Sequence, residues 1–115
     1  MYKINVTQPI LNLDGSPMLE QFDKVEDGKV VPTFEAITLR AVCCAVLIRE
    51  LEAFKNESAM KMIERNQLAE RIYSNDIVEL SAEDVVYIKS RIEKSTFGAR
   101  IYAQCARMLE NKSSI

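Results

Sequence analysis

The chain has 115 residues, a length typical of one domain, and carries 17 acidic against 15 basic residues. Hydrophobic residues make up 48% of it, enough to build a packed core, which argues against wholesale disorder. It has no histidine, the side chain most often used near neutral pH for proton transfer and for binding transition metals. We therefore expect a protein that is not an enzyme and that holds no metal or other cofactor.

The three cysteines, Cys43, Cys44 and Cys105, are odd in number and have no Cys-x-x-Cys spacing. They form neither a zinc motif nor a thioredoxin-type redox motif, and each lies among apolar residues at helical spacing. We expect them to act as small hydrophobic side chains in a reducing, cytosolic compartment. The longest apolar stretch, residues 41–48, is far shorter than the ~20 residues that span a bilayer, so we expect no membrane segment.

Residues 1–37 contain all three prolines and two Asp-Gly turn signals, at 14–15 and 27–28. Tyr2, Ile4 and Val6 alternate with polar residues, which is the period of a half-buried strand. The run 22–31 is centred on the second Asp-Gly pair and predicts a hairpin that Pro32 ends. This N-terminal part is therefore predicted to be a β-hairpin or an extended arm.

From residue 38 onward the apolar period changes to 3.6 residues, which predicts helices. Thr38 is the expected N-cap of a first helix whose apolar positions continue to Phe54. A second helix is predicted over residues 58–74, with one face packed inward and the opposite face in solvent. Its inward residues are Met62, Ile63, Ala69, Ile72 and Tyr73, and its outward residues are Glu64, Arg65, Glu70 and Arg71.

Ser81 and Asp84 form a capping-box pattern, which predicts the start of a third helix. The buried stripe of this helix is expected to contain Val85, Ile88 and Ile92. Residues 76–80, just before it, alternate between polar and apolar, which favours a short extended segment paired with the N-terminal arm.

A fourth helix is predicted near residues 101–109. The predicted architecture is one mainly α domain, a four-helix-bundle-like core with an N-terminal β-hairpin or extended arm. The arm takes residues 1–37, the helical core takes 38–110, and a polar tail takes 111–115.

Five short blocks of the sequence follow one another in a defined order. They are LDGSP at 13–17, ITLRAVC at 37–43, LAERIY at 68–73, VELSAEDV at 78–85 and IKSRI at 88–92. In this order they give the chain, over nearly its whole length, a resemblance to a group of small, uncharacterised tailed-bacteriophage proteins. The resemblance implies a viral source and an accessory role in the infected bacterial cell, and it implies no catalytic residue.

Three carboxylates, Glu79, Glu83 and Asp84, cluster at the predicted start of the third helix. There the positive end of the helix dipole stabilises negative charge by roughly 0.3–1 kcal/mol each, which accounts for the cluster. Acidic residues at the spacing of a calcium loop or of a catalytic carboxylate pair are missing from the sequence. We expect these carboxylates to cap the helix.

Residues 86–115 carry six basic and two acidic residues, a net charge of +4, with Phe97 and Tyr102 interleaved. A basic helical surface with aromatic residues is one pattern of nucleic-acid binding, although the sequence pI of 5.2 means that the remaining surface would repel phosphate. The favoured explanation is that positive charge near helix C-termini and opposite the acidic N-terminal part holds the domain together. The candidate nucleic-acid-binding residues are Lys89, Arg91, Lys94, Arg100 and Arg107, with Lys112 beyond them.

Candidate partner-binding residues lie on the first two predicted helices. Ile48 makes the apolar face of the first helix wider than the stripe that packs on the core. The additional apolar surface is available for contact with a partner. Met60 lies off the predicted stripe of the second helix, and with Leu68 it forms a candidate exposed patch. The alternative is that Met60 and Leu68 contact the N-terminal arm.

The function predicted from these features is that of a non-catalytic phage accessory or regulatory protein, which acts by protein–protein contact in the cytoplasm of the infected host. The partner is a phage or host protein, or a second copy in a homo-oligomer. Two alternatives stay open. The protein is a nucleic-acid-binding accessory factor that uses its basic C-terminal third, or it is a structural or assembly component of the virion.

Overall fold

The computed structural model describes residues 1–110, which form four strands, four helices and a short 3₁₀ turn. In chain order these are β1 (Tyr2–Asn5), β2 (Leu19–Glu26), β3 (Lys29–Ala36), α1 (Leu39–Ile48), the 3₁₀ turn (Glu52–Phe54), α2 (Ala59–Ser74), β4 (Ile77–Leu80), α3 (Ala82–Glu93) and α4 (Ala99–Glu110). The predicted polar tail, residues 111–115, lies outside the described residues.

Strands β1 and β4 form an antiparallel pair in which Tyr2 lies opposite Leu80 and Ile4 lies opposite Val78. Alternate residues of a strand point to the same face, so the side chains of Ile4, Val78 and Leu80 enter the core together, where all three are buried. The prediction that the segment before the third helix pairs with the N-terminal strand is confirmed.

The core lies between this pair of strands and the four helices. Helix α1 packs on α2 and α3, α3 packs on α4, and α4 also contacts β1. The buried apolar residues are Ile4, Val6, Ile10, Leu39, Val42, Cys43, Val46, Leu47, Leu68, Ala69, Ile72, Val78, Leu80, Val85, Ile88, Ile92, Cys105 and Leu109.

The fold is α+β, so the prediction of a mainly α four-helix bundle with an N-terminal arm is wrong. Val6 and Ile10, which were assigned to the arm, are buried in the core, and β4 interrupts the predicted helical core. The physical reason is that the β1–β4 pair presents its own apolar face. This face fills space that a bundle would fill with contacts between helices.

Three helices begin where a side chain accepts a hydrogen bond from the first turn. The Thr38 hydroxyl accepts from the Ala41 amide at 3.3 Å, and the Ser58 hydroxyl accepts from the Lys61 amide at 3.1 Å. Ser81 and Asp84 form both hydrogen bonds of the predicted capping box. The predicted N-termini of the first three helices are therefore confirmed.

Helix α1 ends at Ile48 instead of continuing to Phe54 as predicted. Arg49 adopts extended backbone angles, and a buried arginine from α3, Arg91, binds the carbonyl groups of Val46 and Arg49. The carbonyls at the end of a helix lack partners within it, so these two hydrogen bonds stabilise the end at this point.

Helix α2 buries only part of the predicted face, since Ala69 and Ile72 are buried as predicted. Arg65 and Leu68 are buried, whereas Met62, Ile63 and Tyr73, which were expected to point inward, are exposed. The reason is that Arg65 is compensated inside the protein, where its guanidinium binds the carboxylates of two glutamates before the helix. These are Glu57, at 3.2 Å, and Glu50, at 3.1 Å.

Candidate protein-interaction surface

Strands β2 and β3 form a hairpin, which we call the arm, around the two-residue turn Asp27-Gly28. Asp27 and Gly28 both have positive φ, at 50° and 75°, as a type I′ turn requires. The twist of this turn matches that of the two strands, which keeps them in register from Glu26 opposite Lys29 to Leu19 opposite Ala36. The predicted hairpin is confirmed, and its strands are longer than predicted.

Pro32 does not end β3, contrary to the prediction, and it lies opposite Asp23 in the middle of the arm. In a hairpin with a two-residue turn, the flanking pair Glu26–Lys29 exchanges two hydrogen bonds, and bonded and non-bonded pairs alternate from there. Asp23–Pro32 is a non-bonded pair, so the proline nitrogen points away from β2. The strand therefore passes through Pro32 without losing a hydrogen bond to its partner.

The arm projects from the rest of the molecule. Every residue of β2 is exposed, and the two strands contact each other far more than any other element. The radius of gyration is 15.2 Å, against about 13 Å for a compact domain of this length. An isolated two-stranded hairpin is only marginally stable in water, so this arm lacks the packing that usually supports such an element.

The two faces of the arm differ in polarity. Leu19, Val25, Val30 and Phe34 are 56%, 71%, 66% and 57% exposed and lie on one face, which we call the apolar face. This face consists of Leu19, Gln21, Asp23 and Val25 from β2, and of Val30, Pro32, Phe34 and Ala36 from β3. Contiguous exposed apolar residues of this kind are typical of contact surfaces.

The opposite face of the arm carries most of its charge. The acidic residues there are Glu20, Glu26 and Glu35, and the basic ones are Lys24 and Lys29. Phe22 and Val31 lie among them and are less exposed than the residues of the apolar face, at 39% and 37%. The apolar face was missed in the sequence, where its clearest trace is the alternation of Val30, Pro32, Phe34 and Ala36 along β3.

Hydrogen bonds of the backbone fix the base of the arm to the core. The Met18 amide donates to the Ile10 carbonyl, and the Ile37 amide donates to the Met18 carbonyl, each at 2.8 Å. The Ile10 amide donates in turn to the Ile37 carbonyl at 2.8 Å, and the Ile10 side chain is fully buried. The apolar face is thus held in a defined position next to a folded core.

The predicted partner residues do not form one patch. Leu68 is only 8% exposed and belongs to the core, so the patch proposed for Met60 and Leu68 is wrong. Met60 is exposed in the first turn of α2. Ile48 is exposed at a shallow groove of about 280 Å³ that also includes Cys44 and Tyr73.

Of the five predicted nucleic-acid-binding residues, four bind groups of the same chain, among them Lys94, which lies 4.0 Å from the Glu93 carboxylate. Lys89 forms an ion pair with Glu110, and the Arg100 guanidinium donates to the carbonyls of Leu11 and Asn12 at 3.0 and 3.1 Å. Arg91 is fully buried, so its assignment to a nucleic-acid surface is wrong. Lys94 and Arg107 are exposed, and Lys112 lies outside the described residues.

Arg91 is the centre of a buried polar cluster between α1, α2 and α3. Its guanidinium donates to the Val46 and Arg49 carbonyls, each at 2.6 Å, and to the Tyr87 hydroxyl at 3.1 Å. It also forms an ion pair with Glu57 at 3.4 Å. Each of these contacts joins Arg91 to another part of the same chain, so the cluster is a structural connection.

The protein-family models, the curated proteins and the solved structures compared with this chain gave no match.

The cysteine thiols lie in apolar surroundings that suppress their reactivity. Burial raises the pKa of Cys105 to about 12 and raises that of Cys43 well above its ordinary value. Burial also raises the pKa of Cys44, an effect that the nearby Arg40 only partly opposes. At neutral pH all three thiols therefore stay protonated, and the protonated form is a poor nucleophile.

Of the three carboxylates near the start of α3, Asp84 caps the helix as expected, whereas Glu79 lies in β4. Asp84 completes the capping box and lies 3.4 Å from the Arg71 guanidinium. Within residues 1–110 there is no group of three or more acidic or cysteine side chains that could hold a metal ion. Nor does any helix in that range have the length and apolar character needed to cross a membrane.

Shortening the arm is expected to leave the core intact. In the variant we replace residues 21–34 with Asp-Gly, which connects Glu20 to Glu35 through the same kind of two-residue turn. Because the deleted residues contact mainly one another, the free energy of unfolding should change by less than about 1 kcal/mol. Urea denaturation followed by circular dichroism measures it, and a loss above about 2 kcal/mol would show that the arm supports the core.

Proposed function

We propose that the protein is a non-catalytic protein-interaction module that contacts its partner through the apolar face of the arm. The observation that carries this proposal is an apolar surface, fixed at its base, on an element that contributes little to the core. Burying Val, Leu or Phe side chains stabilises a complex by about 1.5–3 kcal/mol each, and four such residues are available here.

The biological setting of this proposal comes from the sequence resemblance to small tailed-bacteriophage proteins. On that basis the module is an accessory or regulatory factor that acts in the cytoplasm of the infected bacterium.

Site-specific photocrosslinking tests the proposal with two neighbouring valines of β3. Val30 lies on the apolar face and Val31 lies on the opposite face, so they form a matched pair on one strand. A photoreactive phenylalanine analogue is placed at either position, and purified protein and living cells that express it are irradiated. We expect a discrete protein adduct from position 30 and little or none from position 31. Equal yields from both positions, or no adduct from either, would refute the proposal.

A further inference from the structure

We propose that the partner of the apolar face is a second copy of this chain, so that two arms pack face to face about a twofold axis. This inference rests on the proposed function, since it takes the arm as the contact element. It specifies a small four-stranded sandwich in which each hairpin supplies one sheet. Face-to-face packing at about 10 Å is the usual way for two such sheets to bury their apolar sides.

The arrangement of polar residues on the apolar face indicates how the two copies align. Gln21 and Asp23 lie on β2, in two successive cross-strand pairs near the middle of the arm. A twofold axis perpendicular to the strands, passing between these two pairs, places each Asp23 opposite Gln21 of the second copy. The carboxylate then accepts a hydrogen bond from the carboxamide, so the polar residues within the interface satisfy each other.

The same twofold axis places each larger apolar side chain against a smaller one. It places Phe34 against Pro32 of the second copy, and Val30 against Ala36 of the second copy. On β2, Leu19 lies against Val25 of the second copy. Large side chains thus meet smaller ones along the whole length of the arm, and this fills the interface without overlap.

Two neighbouring positions of this axis are less favourable. A twofold axis through the Asp23–Pro32 pair would place Asp23 directly opposite Asp23 of the second copy, and like charges in opposed positions destabilise a contact. An axis through the Gln21–Phe34 pair would place Phe34 against Phe34 of the second copy and leave Val30 without a partner. The alignment with Asp23 opposite Gln21 of the second copy avoids both defects.

The size of the apolar face sets the strength of this dimer. Strands of eight residues span about 26 Å, and two strands are about 10 Å wide, so the contact is small. A standard interface buries about 800 Å² on each partner, which this face does not reach. We therefore expect weak, reversible association, with a dissociation constant in the range of about 10 μM to 1 mM.

The charge of the arm gives the association a distinctive salt dependence. Residues 19–36 carry five acidic and two basic residues, a net charge of −3, and only Asp23 lies on the apolar face. Two arms therefore repel each other weakly at long range, and salt screens this repulsion. We expect the dissociation constant to fall as salt rises, whereas a nucleic-acid or basic-peptide partner would dissociate.

Sedimentation velocity from about 1 μM to 1 mM tests the dimer with two matched phenylalanines. Phe34→Asp, on the apolar face, should weaken association by about thirty-fold or more. Phe22→Asp, on the opposite face of the same arm, should leave association nearly unchanged. If the wild-type protein stays monomeric throughout, or if both variants weaken association equally, the inference is wrong.

Substitutions at Gln21 test the alignment without adding or removing apolar surface. Gln21→Lys places a positive charge opposite Asp23 of the second copy, and Gln21→Glu places a negative charge there. Over the two symmetric contacts we expect association to strengthen with lysine and to weaken with glutamate, by about two- to thirty-fold in each case. Equal effects of both substitutions would contradict the alignment.

The photocrosslinking experiment separates a failure of this inference from a failure of the proposed function. An adduct of twice the chain mass from position 30 in purified protein supports the dimer. An adduct from position 30 with a different protein, formed while the purified protein stays monomeric, would overturn the dimer and retain the proposed function. No adduct in either sample would overturn both.

Discussion

Replacing Arg91 with methionine is expected to lower the free energy of unfolding by about 3–5 kcal/mol. The substitution keeps most of the side-chain volume and removes the guanidinium, which leaves Glu57 without one of its two arginine partners. It also leaves the Val46 and Arg49 carbonyls at the end of α1 without their donor. Urea denaturation measures this loss against the wild-type protein.

Arg107→Met is the matched control for this prediction, because Arg107 is an exposed arginine in the last turn of α4. It should change the free energy of unfolding by no more than about 0.5 kcal/mol. Arg91→Lys retains the charge but cannot reach both carbonyls and Glu57 at once, so it should recover only part of the stability. A loss below about 1 kcal/mol for Arg91→Met would show that the buried cluster does not hold the three helices together.

The second large effect is expected at the β1–β4 pair. Ile4→Ala removes a fully buried side chain from the face that packs on the helices, and it should cost about 2–5 kcal/mol. Ile77→Ala is the matched control on the neighbouring strand, since Ile77 is half exposed, and it should cost less than about 1 kcal/mol. Thermal and urea unfolding of both variants measure the difference. Equal losses would mean that β1 does not belong to the core.

The local structure could be predicted where short-range chemistry determines it. The caps at Thr38 and Ser81 depend on hydroxyl groups next to a helix start, and both were predicted from the sequence, whereas Ser58 was predicted only as the approximate start of the second helix. The Asp27-Gly28 hairpin was also predicted, because only residues that tolerate positive φ suit its turn. The pairing of residues 76–80 with the N-terminal strand followed from their alternating pattern.

The fold class was not predicted, because the helical period from residue 38 onward was given more weight than the short strands β1 and β4, whose joint apolar face fills part of the core. Two buried charges were missed as well. Arg65 and Arg91 were read as surface residues, although both occupy the buried stripes of their helices. Arg65 precedes Leu68, Ala69 and Ile72 by three, four and seven residues, and Arg91 follows Ile88 by three. This spacing indicates that each arginine lies on the apolar face of its helix. An ion pair inside the protein can compensate the charge of an arginine in that position.

The candidate site was missed for a related reason. The prediction looked for exposed apolar residues on the helices, at Met60, Leu68 and Ile48, and treated the N-terminal part as packed on them. A strand that alternates in polarity usually has its apolar face against the core, and nothing in the arm's sequence distinguishes an unpaired apolar face from a buried one. Its position depends on the backbone contacts of Met18 and Ile37, which only the fold shows.

Pro32 also determines which kinds of assembly the arm permits. Its nitrogen faces the open edge of β3, where it offers no donor to a further strand. Growth of the sheet by successive strand addition along this edge is therefore interrupted at its middle. Another molecule can still bind the side chains of the apolar face. No further molecule binds there once that face is covered. The arm therefore exposes its apolar surface on an element whose β3 edge does not favour the addition of a further strand.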